Sequence, residues 1–283
     1  MIIKATACFA IVITAIIDTA SAQNNGHYAE VNGLKMYYEI YGKGKPLVLI
    51  HGGGSTIESN FGAIIPYFAK HRQVIAVELQ AHGHTADRGT PTSFEQDADD
   101  VAALLKHLKL INADVLGFSN GGSTAMQLAI RQPELVDKLV VASGMYKRDG
   151  LPPQFWEFMN NAKLEYMPQG LKDAYLKIKG NTQAGLQIMH DRDAVRMQTF
   201  KDWTDDTLKS IKAATLFISA DQDVILPEHT VAMHRLVPNA KLIILPGQHG
   251  EYLGEVTVKK PGSNLHEITA GLIEDFLNIP PAK

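Results

Sequence analysis

The chain has 283 residues, 45% hydrophobic and 20% charged, with a formal net charge of −3. That suits one α/β domain with a large core and an insertion. Lys259-Lys260 is the only adjacent lysine pair and no basic stripe with interleaved aromatics occurs, which excludes a nucleic-acid partner. A single cysteine, Cys8, rules out a disulfide framework.

In chain order, the first predicted element is a leader. Met1–Lys4 is a short start with one positive charge, Ala5–Ile17 is apolar, and Thr19-Ala20-Ser21-Ala22 offers small residues for cleavage. Residues 1–22 are therefore expected to be a signal peptide removed after Ala22, and the protein to be periplasmic or secreted. The apolar run is shorter than the ~20 residues of a membrane span, so no stable anchor is expected after removal. Cleavage takes Cys8 with it, leaving a mature chain without a thiol nucleophile.

Strand and helix patterns then alternate. Strands are predicted over Leu34–Tyr41, Pro46–Ile50, Gln73–Val77, Ala113–Phe118 and Leu139–Ser143, with helices over Phe61–Lys70, Ser93–Leu108 and Ser123–Arg131. Continuous apolar runs such as Pro46–Ile50 suit strands buried on both faces. The expected fold is a mostly parallel central sheet with helices on both sides.

Two loops in this stretch carry chemistry. His51-Gly52-Gly53-Gly54-Ser55 follows a strand, and its glycines leave backbone N–H groups open to close approach by a ligand. No Gly-Lys-[Ser/Thr] follows and no Gly-x-Gly-x-x-Gly spacing occurs, so a phosphate loop is not expected. His51 is read as packing this loop. Gly117-Phe118-Ser119-Asn120-Gly121 lies between a strand and a helix, the context that exposes a serine hydroxyl on a sharp turn. Glu78, His82 and His84 in the intervening loop are read as loop hydrogen bonding, with no metal expected.

Met145–Thr204 interrupts the alternation and is predicted to be a helical cap, rich in Met and aromatic side chains that favour apolar groups. Arg148, just past a strand end, is a candidate for binding a substrate carboxylate. Beyond the cap a helix is predicted near Asp205–Lys212, a strand over Thr215–Ser219 and a turn bearing Asp221 and Asp223. A helix from Glu228, a strand over Lys241–Leu245 and a turn at Pro246-Gly247-Gln248-His249-Gly250 follow. A serine hydroxyl needs a histidine to take its proton and a carboxylate to hold that histidine. The expected catalytic set is Ser119, Asp223 (preferred to Asp221) and His249. The N–H groups of Gly53 and Asn120 form the expected oxyanion hole, with Gly54 as alternate donor and substrate contact.

From about Tyr28 onward, on the His51–Ser55 loop, the Gly117–Gly121 elbow and the Asp223 and His249 turns, the chain resembles the α/β-hydrolase superfamily, in particular capped esterases and lactonase-like members. The resemblance implies the α/β-hydrolase fold: a core of residues 23–144 and 205–283 with a cap at 145–204. It also implies an exported serine hydrolase that cleaves a small apolar ester or lactone through an acyl-enzyme, without a cofactor. One departure is Glu78-Leu79-Gln80-Ala81-His82-Gly83-His84-Thr85, which stands where many members have Asp-x-x-Gly-x-Gly-x-Ser, with Ala81 in place of a glycine. A carbon–carbon bond hydrolase could use the same triad. An aminopeptidase resembling proline iminopeptidases would carry proline where Gly54 stands, and a dehalogenase or epoxide hydrolase would carry Asp at position 119. A non-catalytic ligand-binding protein of the same fold is the alternative from outside the enzymes.

Overall fold

The structure, a computed structural model, describes residues 25–280; the expected leader and its cleavage site lie outside the described residues. Among the described residues, β1 (Gly26–Val31), β2 (Leu34–Tyr41), β3 (Lys45–Ile50), β4 (Arg72–Val77), β5 (Ala113–Phe118), β6 (Val136–Ala142), β7 (Ala214–Gln222) and β8 (Lys241–Gln248) form one sheet. Its order is β1-β2-β4-β3-β5-β6-β7-β8. β1 and β2 form an antiparallel hairpin and β2 is antiparallel to β4; every later pairing is parallel. β1 was not expected from the sequence, because its polar residues leave only Ala29 and Val31 to bury.

Along β3, Leu47, Val48, Leu49 and Ile50 are all fully buried, and successive side chains enter opposite cores. Val48 and Ile50 pack with α3 (Phe94–His107) and α4 (Asn120–Arg131) on one face. Leu47 and Leu49 pack on the other face with α1 (Ile57–Phe61), α2 (Ile65–Phe68) and, from the end of the chain, Ile273 and Phe276. The single helix expected over Phe61–Lys70 is two short ones. Thr56 and Ser59 close a capping box that starts α1 earlier, and Pro66, which has no N–H to give, opens the first turn of α2.

After β6 the chain leaves the sheet through a 3₁₀ turn at Arg148–Gly150 and forms α5 (Pro153–Asn160), α6 (Gln169–Leu176) and α7 (Gln183–Thr199), here called the cap. α5 has no fully buried residue and α6 buries only Tyr175. The cap is fastened where it returns. Phe200 and Trp203 pack edge-on against Phe94, with ring centroids 5.7 and 6.2 Å away. α8 (Asp205–Lys209), α9 (Pro227–Leu236) and α10 (Leu265–Asn278) complete the helices, and among the described residues none is long and apolar enough to cross a membrane.

Candidate active site

The loops that follow β3, β5, β7 and β8 lie at the C-terminal ends of parallel strands, where open α/β sheets collect ligands. The sharpest is at Ser119, between β5 and α4. Its backbone takes φ 55° and ψ −122°, outside the helical and extended regions, a conformation that costs about 1–3 kcal/mol. Surrounding bonds hold it there. Ser119 N–H donates to Ala142 O at 2.8 Å, and Gly122 and Ser123 N–H donate to Ser119 O at 2.8 and 3.1 Å. The turn also requires glycine on each side. A Cβ on Gly117 would lie 2.0 Å from Gly121 O, and one on Gly121 would lie 2.1 Å from Ile50 O.

His249 Nε2 is 3.0 Å from Ser119 Oγ, and His249 Nδ1 is 2.6 Å from Asp223 Oδ1. Nδ1–H therefore donates to the carboxylate, which keeps the proton on Nδ1 and leaves the Nε2 lone pair to accept from the serine hydroxyl. Asp221 is elsewhere occupied, accepting from Gly247 N–H at 2.8 Å. Asp223 also accepts from the Ser143 hydroxyl, from Ala220 N–H at 3.2 Å and from Ile225 N–H at 3.1 Å. Burial pushes its carboxyl up, but the facing His249 and the donated bonds outweigh that and hold it below the ordinary carboxylate value. Ser143, itself at φ 50°, is bonded in turn to the buried Tyr252 hydroxyl at 2.6 Å.

The glycine loop faces this group from β3. Gly52 N–H donates to Asn60 Oδ1 at 2.8 Å and Gly54 N–H to Asp193 Oδ2 at 2.6 Å. Gly54, the alternate oxyanion donor in the sequence reading, thus has its proton committed to a cap residue. Gly53 N–H and Asn120 N–H have no protein acceptor among the described residues, and both residues line the cavity beside Ser119. His51 is fully buried, accepts from Leu79 N–H at 3.1 Å, and has its pKa lowered to about 3 by burial. It is a neutral ring that ties the loop to the segment after β4.

A family profile described as "alpha/beta hydrolase fold" matches residues 45–184. A putative esterase/lipase of Haemophilus influenzae is 36% identical over 95 residues, 34% of this chain and 32% of that relative, so the match spans about a third of its length. The 2-hydroxymuconate semialdehyde hydrolase of Pseudomonas sp. (strain CF600) is 28% identical over 70% of this chain and 77% of its own. Among solved structures, an N-acyl homoserine lactone degrading enzyme superposes with a TM-score of 0.66 at 26% identity, covering 87% of this chain and 99% of that one.

The chain belongs to the α/β-hydrolase superfamily.

In this α/β hydrolase a cavity of about 330 Å³ opens over Ser119, between the strand-end loops and the cap. Among the Met and aromatic side chains of the cap, Phe155, Phe158, Met159, Tyr166, Met167 and Met197 line it. Trp156, Tyr175, Met189, Phe200 and Trp203 do not, and serve packing instead. Arg148, the candidate carboxylate binder, is also absent from the lining. Its guanidinium lies 3.7 Å from the centre of the Trp156 ring, and its backbone N–H donates to Asp202 at 2.7 Å, so the 3₁₀ turn directs the side chain along the cap surface rather than into the cavity.

Glu78, His82 and His84 do not converge. Glu78 accepts from His84 N–H at 2.6 Å, lies 2.9 Å from His84 Nδ1 and accepts from Ile57 N–H at 3.3 Å, whereas His82 faces Asp193 at 3.0 Å. Ala81, which stands where a glycine is usual, adopts φ 66°. Sequence reasoning missed Ser143, Tyr252 and, on the cap, Asp193 and Arg196. The one available signal for the last pair was an Asp and an Arg three apart on a helix.

Proposed function

We propose that the enzyme is a serine hydrolase that cleaves a carboxylic ester or lactone of a small, largely apolar substrate through an acyl-enzyme, with Ser119 as nucleophile. The observation that carries this reading is the contact chain from Ser119 Oγ to His249 Nε2 at 3.0 Å and from His249 Nδ1 to Asp223 at 2.6 Å, beneath an apolar cavity. The hydroxyl passes its proton to His249 as Oγ attacks the carbonyl. Asp223 supports the resulting imidazolium, and Gly53 and Asn120 N–H receive the oxyanion. His249 returns the proton to the leaving oxygen, then deprotonates the water that releases the acyl group. The esterase/lipase and lactone-degrading relatives support an acyl substrate.

A carbon–carbon bond hydrolase is the second reading, favoured by the aligned length shared with the semialdehyde hydrolase. Against it, the charged side chains around the cavity are few: Asp193 is tied to protein partners and Lys163 is largely exposed. Export, with removal of residues 1–22, remains part of the proposal on the strength of the leader sequence alone, and N-terminal sequencing of protein from the periplasm or medium tests it.

The test is intact mass after a fluorophosphonate, for the wild type and Ser119→Ala, followed by turnover of short-chain aryl esters and of a vinylogous dicarbonyl compound. One adduct, absent from the variant, with ester turnover is the expected result. Labelling with turnover of the dicarbonyl compound only would transfer the proposal to the second reading; an unlabelled, folded wild type would leave a ligand-binding protein.

A further inference from the structure

The cap does more than roof the cavity. Asp193, on α7, lines the cavity and reaches the glycine loop, where its Oδ2 accepts from Gly54 N–H at 2.6 Å. The same oxygen is 3.0 Å from His82 Nε2, while His82 Nδ1 is 2.9 Å from Gln80 O. Gly54 N–H also lies 3.3 Å from this Nε2, so loop amide, imidazole and carboxylate meet at one point, where the ring can take up a positive charge. Burial disfavours that charge, but the Asp193 carboxylate raises the His82 pKa over it. Asp193 Oδ1 is held by Arg196 at 3.0 Å, and Arg196, 1% exposed, is paired with the buried Asp97 at 2.7 Å. The carboxylate is therefore fixed from two sides before it meets the loop.

The loop needs such fixing. Three successive glycines leave a backbone with wide conformational freedom, yet an oxyanion donor must stay within a few tenths of an ångström of its target. A Cβ on Gly53 would lie 3.1 Å from Asp193 Oδ2, so the carboxylate sits directly against the residue whose N–H is open. A charge-assisted bond to the next amide is short and directional.

We infer that Asp193 is a positioning residue, holding the glycine loop through Gly54 so that Gly53 N–H is aimed at the oxyanion, and that the cap thereby completes the catalytic machinery. This rests on the acyl-transfer reading above. A neighbouring contact supplies the control. Arg192, one residue earlier on α7, pairs with Asp87 at 2.6 and 3.0 Å, tying the cap to a loop that carries none of the proposed catalytic groups.

The experiment compares full-length Asp193→Ala, Asp193→Asn and Arg192→Ala with wild type in kcat and KM for a short-chain aryl ester, with Ser119 labelling by fluorophosphonate measured alongside. Asp193→Ala is expected to lower kcat about 10- to 100-fold, with KM changed less than about threefold, as for a misaimed oxyanion donor. Asp193→Asn keeps an acceptor oxygen but not the charge, and kcat should fall only about three- to tenfold. Arg192→Ala should leave kcat within about twofold. If Asp193→Ala does not fold, Asp193→Asn carries the test, and an unchanged kcat in it overturns the inference. A loss confined to KM, or equal losses in Asp193→Ala and Arg192→Ala, also overturns it while the hydrolase reading stands. Wild-type protein that neither labels nor turns over ester overturns both.

Discussion

The strand-end loops and the cap share one cavity but are built in opposite ways. Around Ser119, helix α4 buries nine of its twelve residues and the glycines on either side leave no room for a side chain. α5 buries none of its eight, and Phe158, which lines the cavity from it, is 48% exposed. Close packing fixes reacting atoms at bonding distance, whereas a half-exposed wall of Met and aromatic side chains can adjust to what enters. Under the proposed function, chemistry falls to the loops and substrate fit to α5 and the segment that follows it. α7 is the exception, since Asp193 joins the two regions.

The comparison can be broken at several strengths. Ser119→Ala should lower ester kcat by roughly 10⁴-fold or more with little change in thermal stability, because the reacting atom goes and the packing stays. Substantial residual turnover would place the chemistry elsewhere. Gly121→Ala probes the same rigidity through the fold. Its methyl would meet the backbone oxygens of Ile50 and His51 at 2.1 and 2.5 Å, so urea unfolding should report a loss of about 3 kcal/mol. A tolerated alanine would mean that the elbow is not closed.

A third prediction concerns pH. Burial lowers the pKa of His51 to about 3 and that of His229 to about 4, so between these values and the unfolded value of about 6.5 the unfolded chain binds more protons than the native one. Their contribution to stability is complete above about 6.5 and is lost as pH falls through that window, by ~1.4 kcal/mol per pH unit for each proton. The buried Asp97 carboxyl, raised to about 6, acts in the opposite sense over part of this range, so the test is the difference between variants: in urea unfolding at pH 4.5, 5.5 and 6.5, His51→Gln should lower the slope by about one proton. An unaltered slope would remove His51 as its source. The smallest effect is expected in the cap: Phe158→Ala should raise KM for a bulky apolar ester about fivefold, roughly 1 kcal/mol, while stability moves by no more than ~0.5 kcal/mol. A fall in kcat instead would make α5 part of the catalytic frame.

The parallel sheet and the positions of Ser119, Asp223 and His249 were legible because each depends on local pattern. Buried strands read as apolar runs, and a turn that must be tight can be recognised by its glycines. The helix over Phe61–Lys70 was misread because Pro66 and the capping box at Thr56 outweighed the apolar spacing. Arg148 is a candidate for a substrate carboxylate by its place after a strand, but a side chain's direction depends on the neighbour it packs against, here Trp156.

By itself, the sequence determined the superfamily, the succession of strands from β2 to β8 and the kinds of side chain at each strand end, since these follow from hydrophobic period and turn chemistry along the chain. Only the tertiary structure decided that Gly54 N–H is taken by Asp193, that Ser143 and Tyr252 stand behind Asp223, and which cap side chains face Ser119. Gly54 and Asp193 are 139 residues apart, and Ser143 and Asp223 are 80 apart. Contacts at such separations leave no periodic trace in the chain; the first forms only when the cap folds back over the sheet, and the second only when the ends of β6 and β7 lie side by side.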